Sequence, residues 1–512
     1  MGECQVTMQI RRAIEEAHSR LKKYASITPR AVLSSFVFLF VSALVFAGWI
    51  HTSIFPGPSQ FSIFTTSKAP DIPLKCTEWN MTRTCPVNYT TKQTHDCHLH
   101  HHKPGNECPS YFRWIHEDLR PWKETGITKD MVERARPPAH FQLVILDGKV
   151  YLQKFRPAYQ TRDVFTLWGI LQLLRWYPGK LPDLELMFNC NDQPLIRSKD
   201  FPLPKSGPPP LFGYNADRRT LDIVFPDWSF WGWVETNIKP WRYVLKDIEE
   251  SNKRTTWSYR KPYAYWRGNP FVGKTRRDLL KCNVSEKHDW NTRVYIQDWG
   301  QESQQGFKHS NLEDQCTHRY KIYIEGWAWS VSQKYILACN SMALLIRPWY
   351  VDFFTRGLVP LRHYWPIRDN AKCTSLKFAV EWGNNHTEKA KAIGEAGSRF
   401  IYEDLKMELV YDYMYHLLNE YAKLFRYKPT IPRGAVELCS EAMACPVSGT
   451  YKKFMLDSMV RSPSRVPPCS LPPPYDPPSF EAFVKSKANL TWQVEKWEDE
   501  YWQSVNKNSK RQ

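Results

Sequence analysis

Residues 320–346 read YKIYIEGWAWSVSQKYILACNSMALLI, and this stretch decides the fold class. An apolar, strand-like run ends at Gly326, a short loop follows, a helix begins near Val331, and a second apolar run closes the stretch. Alternation of strands and helices in this order predicts an α/β protein.

The turn between the first apolar run and the helix carries three polar candidates, Ser330, Ser332 and Lys334. A strand followed by a helix N-terminus presents amides and hydroxyls in the geometry that binds phosphate groups. The alternative is structural, with Ser330 capping the helix and Lys334 extending into solvent. The residues alone leave both interpretations open.

The same alternation extends on both sides of this stretch. Upstream, the patterns predict a β-hairpin over residues 140–153 that turns at Asp147 and Gly148, a helix over 162–177 and a buried strand over 184–189. Around the first stretch they predict strands at 263–267, 293–299, 320–326 and 342–347, a helix at 332–339, and further helices within 391–425. We therefore predict two Rossmann-like halves.

A chain of 512 residues exceeds what one hydrophobic core usually organises, so two globular domains with ancillary segments are expected. The predicted organisation is a cytoplasmic tail (1–30), a transmembrane signal anchor (31–50), a stem with a Cys-rich segment (51–107), an N-terminal Rossmann-like domain for acceptor and base (108–239), a C-terminal Rossmann-like domain for the donor (240–395), helices crossing back (396–430) and a Cys/Pro-rich tail (431–512).

The membrane prediction rests on residues 31–50, AVLSSFVFLFVSALVFAGWI, which carry no charge. A hydrocarbon core of roughly 30 Å needs about that many residues in a helix. Basic residues dominate the stretch before it, which predicts a cytoplasmic N-terminus and a single-pass type II topology. The alternative is a cleaved signal peptide, but the stretch before the apolar run is long for one.

Cysteines and glycosylation sequons place the rest of the chain in an oxidising compartment. Twelve of the 13 cysteines follow residue 50, an even number that suits a set of disulfides. Five N-x-S/T sequons lie on the same side, at Asn80, Asn88, Asn283, Asn385 and Asn489. Because the sequence does not end in a KDEL-type signal, we predict the Golgi lumen, with the endoplasmic reticulum as the alternative.

A zinc site is the competing interpretation of one cysteine-rich segment. The ligand candidates are Cys97, His98, His100, His101, His102 and Cys108. Their spacing matches no standard zinc finger, and cysteines in a secretory lumen favour disulfides. We predict no metal.

Charge and composition limit the classes of binding partner that are expected for this protein. The formal charge is +18, yet basic and acidic residues are interspersed and no nucleic-acid-binding module is recognisable. A nucleoside-diphosphate ligand or an acidic polymer fits this charge equally well. Apolar residues at 42% and aromatic residues at 14% predict a folded chain.

Asp192 is the candidate general base. It lies in FNCNDQPL, directly after the predicted strand at 184–189, and ligands of open α/β sheets gather at the carboxyl ends of strands. A carboxylate there suits deprotonation of an acceptor hydroxyl. The alternative is a loop aspartate that caps its own turn before Pro194.

Residues 268–275 match the phosphate-loop pattern G-x-x-x-x-G-K-T between a strand-like and a helix-like run. Pro270 and Phe271 fit poorly in a tight phosphate cradle, which argues against a nucleotide hydrolase. Arg267 and nearby backbone amides still suit a diphosphate without that mechanism. The alternative is a salt-bridged arginine beside a turn glycine.

Residues 225–233, FPDWSFWGW, concentrate Trp228, Trp231 and Trp233. An aromatic core explains this cluster as readily as a platform for a base or a sugar.

These motifs occur in an order that resembles glycosyltransferase family 90, the CAP10-like or Rumi-type protein O-glucosyltransferases, and most closely their plant-type branch. The resemblance runs from about residue 108 to residue 428 and rests on CPSYFRWIHEDL, FNCNDQPL, DIVFPDWSFWGW, YWRG, YKIYIEGWAWSVSQKYILAC, WYVDFFTRGLVPLRHYWPI and AGSRFIYEDLKMELVYDYMYHLL.

The resemblance implies a GT-B-like fold, with two Rossmann-like domains facing a cleft, and metal-independent, inverting transfer from a UDP-sugar without a cofactor. It implies that Asp192 is the catalytic base and that Cys316 and Cys339 form a disulfide. The implied donor-binding residues are Trp228, Ser229, Phe230, Trp231, Gly232, Arg267, Gly268, Trp327, Ala328, Trp329, Ser330, Val331, Ser332 and Lys334.

Two departures from the family pattern qualify these expectations. Ser332 stands where the protein-modifying members have an arginine facing the diphosphate, so Lys334 is expected to share the neutralisation of charge. Asp192 is flanked by Asn191 and Gln193 where those relatives have an arginine and an aromatic residue. The predicted acceptor is therefore a protein or a polysaccharide, and the predicted sugar is glucose or xylose. The alternative is a non-catalytic carbohydrate- or UDP-binding scaffold of the same fold.

Overall fold

The computed structural model describes residues 71–86, 107–202 and 207–509, and there the chain forms an α/β fold with two β-sheets. The strands are β1 (Phe141–Leu146), β2 (Lys149–Lys154), β3 (Leu184–Phe188), β4 (Leu211–Gly213), β5 (Ile223–Val224), β6 (Lys261–Gly268), β7 (Thr292–Ile296), β8 (His318–Tyr323), β9 (Met342–Ile346), β10 (Trp365–Ile367) and β11 (Val436–Leu438).

The α-helices lie between and after these strands. They are α1 (Cys76–Thr82), α2 (Trp114–Leu119), α3 (Lys129–Arg134), α4 (Arg162–Trp176), α5 (Trp241–Arg254), α6 (Lys274–Leu279), α7 (Trp299–Gln304), α8 (Ser332–Leu337), α9 (Lys372–Asn385), α10 (Thr387–Asp404), α11 (Met407–Ala422), α12 (Ser440–Ala444), α13 (Gly449–Asp457) and α14 (Pro477–Ser509).

The first sheet has six strands in the order β11-β2-β1-β3-β4-β5. The hairpin of β1 and β2 turns at Asp147 and Gly148, whose φ angles of 50° and 73° suit a tight type I′ turn, and this confirms the predicted hairpin. Because β1 runs antiparallel to both β2 and β3, the sheet is mixed and only β3, β4 and β5 form a parallel Rossmann-like edge.

The second sheet has five parallel strands in the order β10-β9-β8-β6-β7. Every residue of β9 is buried, as expected for a parallel strand covered by helices on both faces. The strand, helix and strand predicted within residues 320–346 appear as β8, α8 and β9.

The C-terminal helices connect to both sheets. Helix α11 packs on the first sheet, where the Tyr421 hydroxyl donates to the Glu185 carbonyl oxygen at 3.1 Å. Helix α14 packs beside the second sheet through Val494 and Trp497. The sequence-based prediction treated residues 431–512 as a Cys/Pro-rich tail and missed this 33-residue helix.

Five disulfides lie in the described residues: Cys76–Cys445, Cys85–Cys439, Cys108–Cys469, Cys282–Cys373 and Cys316–Cys339. The first three each span more than 350 residues and join the N-terminal segment to the C-terminal one. Such a framework is typical of proteins that fold in an oxidising compartment.

One cysteine prediction, the even set of disulfides, needs correction, and the alternative zinc interpretation loses one of its candidate ligands. Cys190 is a buried free thiol, so the expected even disulfide set does not include it. Cys108 is bonded to Cys469 and has no thiolate for zinc, while the proposed histidine ligands at 98 and 100–102 lie outside the described residues.

The predicted fold class included an N-terminal transmembrane helix, and this part is corrected. Within the described ranges, no helix is both long and apolar enough to cross a membrane. Residues 1–30 and 31–50, assigned to the tail and the span, lie outside those ranges.

The sequons differ in accessibility. Asn80, Asn385 and Asn489 are exposed, whereas Asn283 is partly buried and its Oδ1 accepts from the Val294 amide at 2.9 Å. Asn88 lies outside the described residues. Glycosylation at these positions stays a prediction.

Candidate active site

The loop that carries Asp192 begins where β3 ends and is fixed by a side chain from its own start and by His140, the residue before β1. The Asn189 side chain accepts from the Asn191 amide at 3.0 Å and donates to the Gln193 carbonyl oxygen at 3.1 Å. The Cys190 amide donates to His140 Nδ1 at 3.0 Å. Asp192 therefore sits on a braced loop at the carboxyl end of a central strand.

Arg162 orients the Asp192 carboxylate. Its Nη1 lies 2.7 Å from Asp192 Oδ1, and the arginine is almost fully buried at the start of α4 while the Asp192 side chain is 33% exposed. The guanidinium stacks on the Trp228 ring, 4.5 Å from its centroid. The Asn215 side chain also donates to the Asp192 carbonyl oxygen at 2.7 Å. Asp192 is thus held in place with one side open to solvent.

Contacts between loops bring the two sheets together beside Asp192. Gln193 Nε2 donates to the Trp327 carbonyl oxygen at 3.2 Å. Ala216, from the loop after β4, pairs with Val351 through two backbone hydrogen bonds of 2.9 and 3.0 Å. The loop that carries Asp192 in the first half therefore contacts the β8–α8 loop of the second half.

The β8–α8 loop is ordered by hydroxyl contacts. The Ser330 amide donates to the Tyr323 hydroxyl at 3.2 Å, and the Ser330 and Ser332 hydroxyls lie 2.9 Å apart. Ala328 and Trp329 are buried, Val331 is partly buried, and Trp327 is 65% exposed. The disulfide Cys316–Cys339 joins the segment before β8 to the segment between α8 and β9, which is the pairing that the family resemblance implies.

Lys334 is not at the surface of this loop. Its side chain is 1% exposed, and its ammonium contacts Asp227 Oδ2 at 3.1 Å and the Ser229 hydroxyl at 2.9 Å. Burial lowers the pKa of Lys334, but Asp227 and other neighbours raise it more, so the net direction is upward. The lysine that was expected to face a diphosphate is committed to a buried ion pair.

The segment 228–232 is buried throughout, which favours the core interpretation of its tryptophans. Trp231 packs against Gly169 of α4, where an added Cβ would lie 2.5 Å from the ring. Ser229 accepts from Lys334, Phe230 lies under that ammonium at 4.5 Å, and Trp228 lies under Arg162. Through these contacts the segment packs under Arg162 and Lys334 and has no exposed side of its own.

Strand β6 ends with Arg267 and Gly268, at the carboxyl end of the parallel strands of the second sheet. The Arg267 guanidinium pairs with Glu302 at 3.2 Å and donates to the Gln297 side chain at 2.5 Å. The Gly268 carbonyl oxygen accepts from the Gln297 amide at 2.8 Å. Arg267 is thus salt-bridged, with 23% of its side chain exposed.

Arg276 is a site residue that the sequence-based reasoning missed. It lies on α6, directly after the phosphate-loop-like match, and its guanidinium crosses to the β8–α8 loop, where it donates to the Ser330 hydroxyl at 3.2 Å. Lys274, the residue that defines that pattern, is exposed instead. Gly273 packs on Gly326, because an added Cβ would lie 2.7 Å from the Gly326 carbonyl oxygen.

Four of the sixteen buried side-chain polar atoms that have no hydrogen-bond partner in the described residues belong to residues around the Asp192 and β8–α8 loops. Within the described residues, Arg162 Nε, Asn215 Oδ1, Trp228 Nε1 and Trp329 Nε1 have no partner. Buried polar groups are usually paired, and exceptions often mark functional sites.

His140 gives the Asp192 loop a predicted dependence on pH. Burial, with a smaller contribution from Arg156, lowers the pKa of His140 to about 4. In the unfolded state the pKa of a histidine is about 6.5. Between pH 6.5 and pH 4 the unfolded state therefore binds more protons than the folded state, so this histidine lowers the free energy of unfolding as the pH drops. Burial raises the pKa of Asp222 to about 7 and acts in the opposite direction.

A variant isolates the histidine contribution. His140→Asn places a neutral acceptor near Nδ1, so we expect its melting temperature to fall less than that of wild type between pH 7 and pH 5. Parallel pH profiles for the two proteins would contradict the assignment, because the Asp222 contribution is common to both.

The two sheets, the loops that meet between them and the oriented carboxylate define an α/β protein with a candidate active site where loops of both sheets meet. The chain belongs to glycosyl transferase family 90, whose model matches residues 103–498, and this confirms the resemblance.

Three relatives show the same similarity. An O-glucosyltransferase rumi homolog of Aedes aegypti is 27% identical over 349 residues, which cover 65% of this chain and 82% of the relative. Protein O-glucosyltransferase 1 of Homo sapiens is 25% identical over 64% of this chain and 84% of its own length. O-glucosyltransferase rumi of Drosophila melanogaster is 23% identical over 63% and 79%.

Proposed function

We propose that this protein is an inverting glycosyltransferase that moves glucose or xylose from a UDP-sugar to a hydroxyl group of a protein or polysaccharide acceptor. Family membership supports glycosyl transfer. The relatives named as O-glucosyltransferases support a hydroxyl acceptor and favour glucose. The long-range disulfides support a secretory lumen, and the Golgi is the compartment that this proposal names.

The observation that carries the proposal is the contact between the Asp192 loop and the β8–α8 loop. Gln193 bonds to Trp327, so the loop that carries the carboxylate in one half touches the hydroxyl-rich turn of the other half. A transferase that uses a base and a nucleotide donor needs this juxtaposition, because the acceptor hydroxyl and the anomeric carbon must meet.

In the proposed reaction, Asp192 accepts the proton of the acceptor hydroxyl as its oxygen attacks the anomeric carbon. The bond from that carbon to the phosphate oxygen breaks, and UDP leaves with the electron pair. Inversion follows because attack and departure occur on opposite faces of the sugar. Arg162 keeps the carboxylate aimed at the cleft.

The other candidate residues take supporting roles in this proposal. Ser330, Ser332 and the amides of the β8–α8 loop contact the nucleotide diphosphate, and Trp327 lines the cleft mouth. Lys334 and residues 228–232 hold the loop from behind, because they are buried against each other. Metal-independent transfer stays part of the proposal.

The test is UDP release by the purified full-length protein from a panel of UDP-sugars, with EDTA and with protein and saccharide acceptors. We expect one preferred sugar and equal rates with and without EDTA. UDP binding without turnover of any sugar would instead favour a scaffold of the same fold. Turnover abolished by EDTA would contradict the metal-independent part.

A further inference from the structure

Exposed tryptophans are rare in the described part of the chain, and two of them lie where loops of the two halves meet. Trp327 follows β8 with 65% of its surface exposed, and Trp349 follows β9 with 64% exposed. Trp492 on α14 is the third exposed tryptophan of the described residues. Single exposed apolar residues are common on protein surfaces, but two large rings at one place mark an interaction surface.

One buried carboxylate fixes the backbone around both residues. Strands β8 and β9 are parallel neighbours, so Trp327 and Trp349 lie at the same end of the second sheet. Glu325 lies two positions before Trp327, and its carboxylate accepts from the Trp349 amide at 3.0 Å and from the Tyr350 amide at 2.8 Å. The loops that carry the two tryptophans are therefore held together at their bases.

Trp327 borders the loop that carries the proposed base. Its carbonyl oxygen accepts from Gln193 Nε2 at 3.2 Å, and Gln193 directly follows Asp192. This bond uses the main chain of Trp327, so the indole ring is not needed to hold the loop. An exposed ring thus lies one hydrogen bond away from the loop whose carboxylate is 33% exposed.

Trp349 is connected to the same loop by a second contact. Two positions after it, Val351 pairs with Ala216 through backbone hydrogen bonds of 2.9 and 3.0 Å. The neighbouring Asn215 donates from its side chain to the Asp192 carbonyl oxygen at 2.7 Å. Both tryptophans therefore belong to the contacts that join the second half to the Asp192 loop.

Neither indole ring has an aromatic or cationic partner among the described residues. Trp228 shows the contrast, because it packs edge-on against Trp233 and lies under the Arg162 guanidinium. Most of the surface of each exposed ring is therefore open to a ligand.

The side chains around these rings match a sugar better than a protein partner. The C–H face of a pyranose ring is flat and apolar, so it stacks on an indole ring, while the hydroxyls around its edge bind neutral amides. Asn191 is exposed and Gln193 is partly exposed, on either side of Asp192 in the chain. A stable protein partner needs about 800 Å² of surface on each side, whereas one indole ring matches one sugar ring.

We propose that Trp327 and Trp349 form the acceptor subsite and that the acceptor is a saccharide chain. Its sugar rings stack on the two indoles, which brings one hydroxyl of the chain to Asp192. This inference rests on the proposed function, in which Asp192 is the base, and it decides between the two acceptor classes named there. It also gives Trp327, which the family resemblance assigned to donor binding, a role in acceptor binding.

The test measures the affinity of the full-length protein for cellohexaose, xylohexaose and mannohexaose by titration calorimetry. Trp327→Ala and Trp349→Ala should each weaken binding of the preferred hexasaccharide about threefold to tenfold, the range for one aromatic contact. Both loops should keep their shape, because the bonds to Gln193 and Glu325 use main-chain atoms of the tryptophans. Trp327→Phe and Trp349→Phe keep a flat ring, so their affinity should return to within about twofold of wild type.

Trp492→Ala is the matched control, because Trp492 is equally exposed but lies on α14. Its affinity for the hexasaccharide should stay within about twofold of wild type. The affinity for UDP should also stay within about twofold in every variant, which separates an acceptor role of the two rings from a donor role.

Hexasaccharide binding that weakens as stated, with transfer from the preferred UDP-sugar to the bound hexasaccharide, supports the inference. No binding of any hexasaccharide, binding that neither alanine variant affects, or transfer to protein acceptors alone overturns it and leaves the proposed glycosyl transfer standing. A parallel loss of UDP affinity also overturns it, because the rings would then belong to the donor site. Saccharide binding that depends on both rings, without turnover of any UDP-sugar, supports the saccharide site and contradicts the proposed function instead.

Discussion

Asp192→Asn should lower the rate of sugar transfer by about 10²–10⁴-fold, the range for loss of a general base. The amide keeps the size of the carboxylate, and its oxygen can still accept from Arg162, so the loop should keep its shape. It has no comparable capacity to take a proton. The affinity for UDP should therefore stay within about threefold of wild type, because only the chemical step is impaired.

The measurement is single-turnover transfer with the preferred UDP-sugar, beside UDP binding to the same preparation. Asp200→Asn is the matched control, since Asp200 is an exposed acid beyond the same strand, and its rate should equal that of wild type. Turnover retained by Asp192→Asn would remove Asp192 from the role of base. Loss of UDP binding together with turnover would show that the substitution disturbed the cleft instead.

Parts of this architecture could be predicted from the sequence because they depend on neighbouring residues. The β1–β2 hairpin depends on Asp147 and Gly148, which adopt positive φ as a tight turn requires. The position of Asp192 depends on one buried strand and the loop after it. The mixed order of the first sheet depends on how β1 pairs with distant strands, and the local pattern does not encode that pairing.

The roles of Lys334 and Arg276 show most clearly what the sequence alone does not predict. In the sequence, Lys334 is a polar residue near the start of a helix. In the fold it is buried in an ion pair with Asp227, which lies 107 positions earlier. Arg276 reads as one of several basic residues after a glycine, and its partners Ile324 and Ser330 lie 48 and 54 positions away. A cation's function depends on its counterion, and the counterion is set by tertiary structure.

Helix α14 was missed for a different reason. It follows a proline-rich segment and is largely polar, so composition favours an extended tail. Its buried side follows Val494, Trp497 and Tyr501, a helical spacing that faces the second core. Ser375 donates to Glu498 at 2.7 Å, and Arg368 donates to Asp499 at 2.6 Å, which fixes the helix to the sheet that carries the β8–α8 loop.

Lys334→Ala should destabilise the protein by about 3–5 kcal/mol, because it leaves the Asp227 carboxylate buried without its cation. Asp227 also accepts from the amide and hydroxyl of Ser229, so an uncompensated charge would disturb the segment behind the cleft. The free energy of unfolding, from urea denaturation with disulfides intact, gives the measurement. Lys391→Ala is the control, because Lys391 and Glu395 form an exposed pair at 3.9 Å, and its effect should stay below about 1 kcal/mol.

A double variant separates loss of the pair from loss of packing. Lys334→Met with Asp227→Asn removes both charges and keeps similar volumes, so it should recover a large part of the lost stability. If Lys334 instead faced the diphosphate, Lys334→Ala would leave stability nearly unchanged and weaken UDP binding. The buried pair predicts the opposite result. Lys334→Ala lowers the free energy of unfolding, and UDP binding weakens only as far as the β8–α8 loop loses its support.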